Sequence, residues 1–356
     1  MNIWGENYKI SIFGESHGEG IGVVIDGIPA GTCLDLDEIN FEMKRRAPGQ
    51  NAMSTPRAEK DAVKILSGFW EGKTTGTPLA GVIMNTNTIS KDYTPELIRP
   101  GHADFTGFSK YGEAHDFRGG GHFSGRITAP LVFAGAIAKQ ILAKEGIKIG
   151  AHIYNIGEIY DTPYDGVNLT EDVFGLTREK ILPVLDDNIA DKMEEYIFKN
   201  KNEQNSVGGV IECGITGAPV GIGAPFFGSV ESRISSMMFS IPAIKGIEFG
   251  AGFGFAKMTG KDANDEFYTE DGKIKTYTNN NAGINGGITN GMPVVFRTVV
   301  KPTPSISQSQ KTVDIKKMEN TEVVVKGRHD PCIVGRAVPV IEAGAAIAIL
   351  DMLKVK

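Results

Sequence analysis

Residues 9–28 read K-I-S-I-F-G-E-S-H-G-E-G-I-G-V-V-I-D-G-I. Residues 9–13 and 21–28 are rich in β-branched and apolar side chains, and the segment between them is mostly glycine and small polar residues. Two such runs around a turn-forming segment predict an antiparallel hairpin. The turn carries Ser16 and His17 directly before Gly18. A histidine in that position is poorly placed to pack in a core and well placed to meet a ligand. The same pattern recurs at 63–70 with 79–84, and residues 294–300 and 322–326 read as later strands. Helical spacing begins after Asp35 or Asp37 as N-cap, with Leu36, Ile39 and Met43 on one face, and ends at R-R-A-P-G (45–49). Longer helices are expected at 130–144, 188–201, 230–239 and 338–353. Strand pairs joined by short turns and interrupted by helices predict an α+β fold with antiparallel sheets, not a wound parallel sheet. No Pro-, Ser- or charge-rich linker divides the chain, so 1–356 is expected to be one domain. The polar stretch 257–281 reads as a surface excursion with little regular structure, and G-A-G-F-G (250–254) as part of a bulged strand.

The composition is that of an ordinary globular protein, 41% hydrophobic and 22% charged. A formal net charge of −6 argues against a general nucleic-acid binder, which needs a broad basic surface, so any anion site must be local. Cys33, Cys213 and Cys332 are odd in number and far apart, without a C-x-x-C pair. They suggest neither a disulfide framework nor a zinc site, and fit a reducing cytoplasm. The first residues lack a basic segment leading into an apolar run. The most apolar later stretch, 131–142, contains Lys139 and reads as too short for a bilayer. Neither export nor a membrane span is expected.

Glycine is the loudest signal, with 45 in 356 residues, nearly twice the roughly 7% that is usual. Many of these glycines sit in runs such as R-G-G-G-H-F-S-G-R (118–126) and N-G-G-I-T-N-G (285–291). Eight arginines lie in or beside such segments: Arg45, Arg46, Arg57, Arg99, Arg118, Arg126, Arg328 and Arg336. A guanidinium fork binds carboxylate and phosphate through paired charge-assisted bonds, so the set points to a small ligand with several anionic groups. His17, His102, His122 and His329 fall in the same segments, and imidazole can donate a proton to a leaving phosphate. Each of these residues taken alone is equally compatible with a structural hydrogen bond. No spacing of His, Asp or Glu matches a metal chelate. A phosphate-binding P-loop, a dinucleotide fingerprint between strand and helix, and a G-x-S-x-G elbow are all missing.

In this order the segments resemble the chorismate synthase family along the whole chain. The matching motifs are F-G-E-S-H-G (13–18), R-R-A-P-G-Q with T-P-R-A-E-K-D (45–61), G-T-P-L-A (76–80), R-P-G-H-A-D-F-T with D-F-R-G-G-G (99–121), S-V-G-G-V (206–210), K-G-I-E-F-G (245–250), N-G-G-I-T-N-G (285–291), K-P-T-P-S-I (301–306) and G-R-H-D-P-C with R-A-V-P (327–339). The resemblance implies a β-α-β sandwich with helices between antiparallel four-stranded sheets, assembled as a homotetramer. It also implies a lyase of the shikimate pathway that makes chorismate from 5-enolpyruvylshikimate 3-phosphate by trans-1,4 elimination of phosphate. Reduced FMN would lend electron density to the substrate and recover it. Its reductant is left open: NADPH used by the chain itself, or a separate flavin reductase.

By the same resemblance His17 would protonate the departing phosphate beside Ser16, His102 would face the reduced flavin, and Asp330 would help relay the substrate proton. Arg46, Arg126, Arg328 and Arg336 would grip anionic groups of substrate or flavin. His122, Phe123, Ser124, Ala243, Gly286, Lys301, Pro302, Thr303, Pro304, Ser305 and Arg328 would contact the flavin. The chain departs from the family pattern at His122, where many members have arginine, and at Gly125, Ile127 and Ala52. Two other classes stay open: a flavin oxidoreductase acting on another anionic substrate, and a non-catalytic phosphometabolite binder. The first would consume one reductant per product, and the second would release no phosphate.

Overall fold

The hairpin at 9–28 forms. Lys9–Gly14 pairs antiparallel with Gly20–Asp26, with Phe13 opposite Gly22. The computed structural model describes residues 2–49, 53, 61–86, 96–325 and 329–353; Arg57, Ala52 and Arg328 lie outside them. Within these residues the helices are α1 (Leu36–Arg46), α2 (Asp104–Tyr111), α3 (Thr128–Lys144), α4 (Glu171–Arg178), α5 (Asp187–Asn202), α6 (Val230–Ser240), α7 (Gly260–Ala263) and α8 (Val334–Met352).

The hairpin belongs to an antiparallel sheet in the order Ile3–Trp4, Lys9–Gly14, Gly20–Asp26, Leu79–Met84, Val63–Ser67. A second antiparallel sheet runs Ile244–Phe249, Val294–Val300, Gly209–Thr216, Lys148–Ile156, Ile159–Tyr160. Among the described residues each therefore has five strands, where four were expected. The extra strand in each, Ile3–Trp4 or Ile159–Tyr160, is an edge of two residues, too short to leave a period in the sequence.

Between the sheets lie α3 and α8. In α3, 13 of its 17 residues are buried, so the helix is apolar all round, as one enclosed on every side must be. The apolar stretch is longer than the sequence suggested: Gly125–Lys144 is 20 residues, long and apolar enough to cross a membrane by composition alone. Here 78% of its most apolar window is buried inside the protein, which marks it as a core helix. α3 packs on the first sheet and α8 on the second. The two helices meet where Gly135 faces Ala343, and a methyl added at Gly135 would stand 2.2 Å from the Ala343 Cβ. One continuous apolar core spans both sheets and the helices between them.

α1 starts as predicted, with Asp35 accepting from the Asp37 and Glu38 amides at 3.0 Å each, and ends in Lys44, Arg45 and Arg46, which suit the negative helix terminus. Arg45, counted among the ligand-binding candidates, points into the helix layer instead. It meets Glu342 at 2.6 and 2.9 Å and Glu42 at 2.8 Å, and Lys139 joins both carboxylates at 2.7 Å. A buried guanidinium needs partners wherever the fold leaves it, and those of Arg45 come from α1 and α8. The stretch 257–281 also departs from expectation: it holds α7 and a hairpin of Phe267–Glu270 with Lys273–Thr276. Asp265 ties this hairpin down by accepting from the amides of Asn280 and Asn281 at 2.7 and 2.9 Å. Residues 250–254 follow the strand Ile244–Phe249 as a turn into a 3₁₀ helix, and the bulge lies earlier, between Ile244 and Gly246.

Candidate active site

Between the first sheet, the end of α6 and the start of α8 lies a cavity of about 880 Å³. Ligand pockets run about 300–1,000 Å³, so this one has room for two small molecules side by side. Its cationic lining is Arg46, Arg99, Arg126, Arg336, Lys245 and Lys301. Among the described residues three carboxylates stand against these six, Asp330 in the wall and Asp61 and Asp104 behind it. A chain of net charge −6 thus concentrates positive charge in one place.

Arg46 and Arg126 share Asp61. Arg46 Nη1 donates to Asp61 Oδ2 at 2.6 Å, and Arg126 Nη1 donates to Oδ1. Arg46 also donates to Thr128 Oγ1 at 3.2 Å and to the Gly125 carbonyl at 3.0 Å. Burial, together with its neighbours Arg336 and Arg126, pushes the Arg46 guanidinium down to about 10 against the pull of Asp61. A buried cation crowded by two other guanidiniums is one that a bound anion would stabilise. Arg336 completes the group, donating to Asp330 Oδ2 at 2.8 Å and to the Arg46 carbonyl at 3.2 Å.

His102 sits in the turn before α2, with Nδ1 2.6 Å from Asp104 Oδ1. His17 does not line the cavity, but Gly119, which does, lies against it. Gly119, Gly120 and Gly121 all have positive φ, at 60°, 88° and 54°. A methyl at Gly119 would stand 2.1 Å from the His17 ring, and one at Gly120 would stand 3.0 Å from the His102 ring. The glycine run thus threads between the two imidazoles, where only backbone without side chains fits. Ser16 is buried beside His17, its Oγ 3.1 Å from His17 Nδ1 and donating to the Arg118 carbonyl at 3.2 Å. His122 lines the cavity and donates from Nδ1 to the Gly14 carbonyl at 2.8 Å, tying the glycine run to the first hairpin.

Phe123, Ser124, Ala243, Lys301, Thr303, Pro304 and Ser305 also line the cavity. Ala243 has φ +75°, a strained value for a residue with a Cβ. Its carbonyl accepts the Lys301 amide at 2.9 Å, which holds the 301–305 loop against the wall. Thr303 Oγ1 is buried without a partner, a polar atom that a ligand would satisfy. These features fit a flavin. Gly286 and Pro302 lie apart from the wall: Gly286 turns the short hairpin of Ile284–Asn285 with Ile288–Thr289, and Pro302 packs near Gly208. Arg118 is exposed and paired with Asp116 at 2.8 Å. Among the described residues no group of three or more His, Cys, Asp or Glu is arranged to hold a metal ion.

Sequence reasoning missed Asp61 and Asp104 because a carboxylate that serves as counter-ion to an arginine leaves no motif of its own. The spacing of Arg99, His102 and Asp104 within one proline–glycine turn was the available signal. It also missed the apolar end of the cavity, formed by Trp4, Ile12, Met237 and Phe239.

Comparison with known proteins gives a consistent result. The family described as chorismate synthase matches residues 8–353. A chorismate synthase of Dehalococcoides mccartyi is 44% identical over 99% of this chain and 96% of its own length. One of Methanocaldococcus jannaschii is also 44% identical with the same coverage, and one of Methanococcoides burtonii is 46% identical over 98% of this chain and 95% of its own. A crystal structure of chorismate synthase superposes with a TM-score of 0.78 at 32% identity, covering 98% of this chain and 92% of that one. Matched from end to end in sequence and in fold, this chain belongs to the chorismate synthase family.

Proposed function

We propose that the cavity binds 5-enolpyruvylshikimate 3-phosphate beside reduced FMN and eliminates phosphate to give chorismate, the last step of the shikimate pathway. The observation that carries this reading is the convergence of six cations and two histidine-bearing loops on one space large enough for both ligands. Arg46, Arg126 and Arg336 are suited to hold the anionic groups of the substrate, and their crowding favours a dianion over a neutral ligand. The 301–305 loop, Ala243, Ser124, His122 and Phe123 would hold the flavin. When bound, reduced FMN supplies transient electron density to the substrate. Positive charge placed where negative charge grows lowers the barrier to phosphate departure. His17, reached past Gly119, is assigned the proton for that phosphate. Asp330, held by Arg336 at 2.8 Å, is assigned the relay of the ring proton. The apolar wall of Ile12, Leu131 and Met237 limits water in the pocket.

The exposed Phe226, Phe227 and Phe253, at 86%, 95% and 85%, support assembly as a homotetramer, because apolar surface of that kind is usually covered. The continuous core supports one domain over 1–356.

The deciding experiment is anaerobic turnover of 5-enolpyruvylshikimate 3-phosphate with photoreduced FMN. The expected result is phosphate and chorismate in equal amounts, with reduced flavin needed only in catalytic quantity. Full activity with oxidised flavin, or one reductant consumed per product, overturns the reading. His17→Ala is expected to lower kcat by about 10²- to 10⁴-fold, the range for general acid catalysis, with a far smaller change in substrate affinity by equilibrium titration.

A further inference from the structure

Asp104 and Arg99 have as yet no part in the chemistry, but both bear on His102. Asp104 is the first residue of α2, and its Oδ1 approaches His102 Nδ1 to 2.6 Å. Arg99 grips the same carboxylate with both arms, Nε to Oδ2 and Nη2 to Oδ1, each at 2.8 Å. The Arg99 backbone amide adds a third bond to Oδ2 at 3.0 Å, and Arg99 Nη1 donates to Ser305 Oγ at 3.3 Å. Burial works against the charge on Asp104, but the hydrogen bonds from Arg99 and His102 hold its carboxyl well below the usual range. It is therefore an anion at neutral pH.

A ring nitrogen 2.6 Å from a carboxylate anion is attracted only if it carries a proton, since two lone pairs at that distance repel. Arg99 Nη2 also lies 3.1 Å from His102 Nδ1. A protonated Nδ1 has no lone pair to accept that donor, so this approach is a by-product of both groups meeting Asp104. The ring is then oriented with Nε2 away from Asp104, beside the space that the absent side chain of Gly120 leaves open, 3.1 Å from where its Cβ would be.

We propose that Asp104, locked by Arg99, is a positioning residue that fixes His102 in the Nδ1–H tautomer and so presents Nε2 to the bound ligands. A neutral His102 then offers Nε2 as an acceptor. A protonated one offers an N–H, with Asp104 balancing the charge from behind. The proposal rests on the assignment of this cavity as the active site, and it divides the labour: His102 touches the ligand, Asp104 sets which atom does so, and Arg99 keeps Asp104 ionised and in place.

The test is ¹⁵N NMR of histidine-labelled protein without flavin or substrate, with the His102 resonances identified by their loss in His102→Gln. The expected result is a protonated Nδ1 on His102 in the unmodified chain. A dominant Nε2–H tautomer overturns the proposal without any variant having to fold. Asp104→Asn, which keeps size and acceptor but removes the charge, is expected to lose that tautomer preference. It should lower kcat by about 10²-fold while KM stays within about threefold. Asp104→Glu, which restores the charge, is expected to recover a large part of the lost kcat. Equal losses in the two variants, or a loss confined to KM, mean that Asp104 merely braces the turn, and overturn the proposal. Because the tautomer is read on the ligand-free protein, a protonated Nδ1 in a chain that forms no chorismate would support this placement and refute the lyase reading separately.

Discussion

Asp61 accepts from Arg46 Nη1 at 2.6 Å and from Arg126 Nη1, and its side chain has no exposed surface. Burial alone would raise its pKa, but the two guanidiniums override this and hold the carboxyl below its usual range. Asp61→Asn keeps the shape and removes the charge, leaving two buried cations with less compensation. The expected cost is about 3–5 kcal/mol, the range for breaking a buried ion pair, measured by urea unfolding at pH 7. Inorganic phosphate should raise the melting temperature of this variant more than that of the unmodified chain, because an added anion replaces the missing one. Proton linkage has a definite sign here. The contribution of Asp61 is complete above its unfolded value, near pH 3.9, and is lost as pH falls through the lower folded value. At this scale the sequence was legible for cations and not for their counter-ions. Arg46, Arg126 and Arg336 stood out by their place in glycine- and proline-bearing segments. The carboxylate at 61, in R-A-E-K-D, looks like any other charged residue until folding brings residue 126 to it. The same blindness put Arg45 with the ligand set, since nothing in its own segment shows Glu342 waiting nearly three hundred residues on.

The glycine run 119–121, as an element, sets the spacing of His17 and His102. Gly119→Ala would force a methyl to within 2.1 Å of the His17 ring in a backbone of φ +60°. The backbone conformation alone costs about 1–2 kcal/mol for a residue with a Cβ, so the variant is expected to fold, with unchanged far-UV circular dichroism. Displacing His17 should nevertheless lower kcat by at least about 10²-fold, the lower end of what losing a general acid costs. A variant with near-normal kcat would show that the His17 ring need not sit where it does. Elements with strong local signals were read closely: α1 from its Asp35 cap, α3 and α8 from their long apolar runs, and the first hairpin from its turn. The elements that escaped lacked such signals. The stretch 257–281 is held by Asp265 bonding backbone amides fifteen and sixteen residues on, which its composition does not reveal. The loop 301–305 was legible only through its likeness to a family, because what places it against the cavity wall is a pinned backbone and Ala243 in a strained conformation.

Across the whole molecule, the second sheet carries a buried charge group remote from the cavity. His152, with no exposed surface, donates to Asp161 through Nδ1 and to Glu212 through Nε2, both at 3.0 Å. Glu212 in turn accepts from Arg297 Nε at 2.8 Å and from the Tyr164 amide at 2.5 Å, and Asp161 accepts from the amides of Leu185 and Asp186. Three strands and two loops therefore meet in one group, whose two carboxylates are balanced only if His152 is charged alongside Arg297. Burial works to lower the His152 pKa, but its bonds to Asp161 and Glu212 outweigh it and the pKa is raised. The folded chain holds this proton more tightly than the unfolded chain, whose histidines titrate near pH 6.5. The resulting stability is complete below that value and drains away as pH rises through the higher folded value. His152→Gln keeps much of the shape and removes the titration. Unfolding in urea from pH 6 to 9 should therefore show the unmodified chain losing stability toward alkaline pH, with the variant less stable at pH 6 and flatter across the range. Parallel curves for the two proteins would mean that His152 titrates alike in the folded and unfolded chain, and that its bonds to Asp161 and Glu212 confer no net preference for the proton.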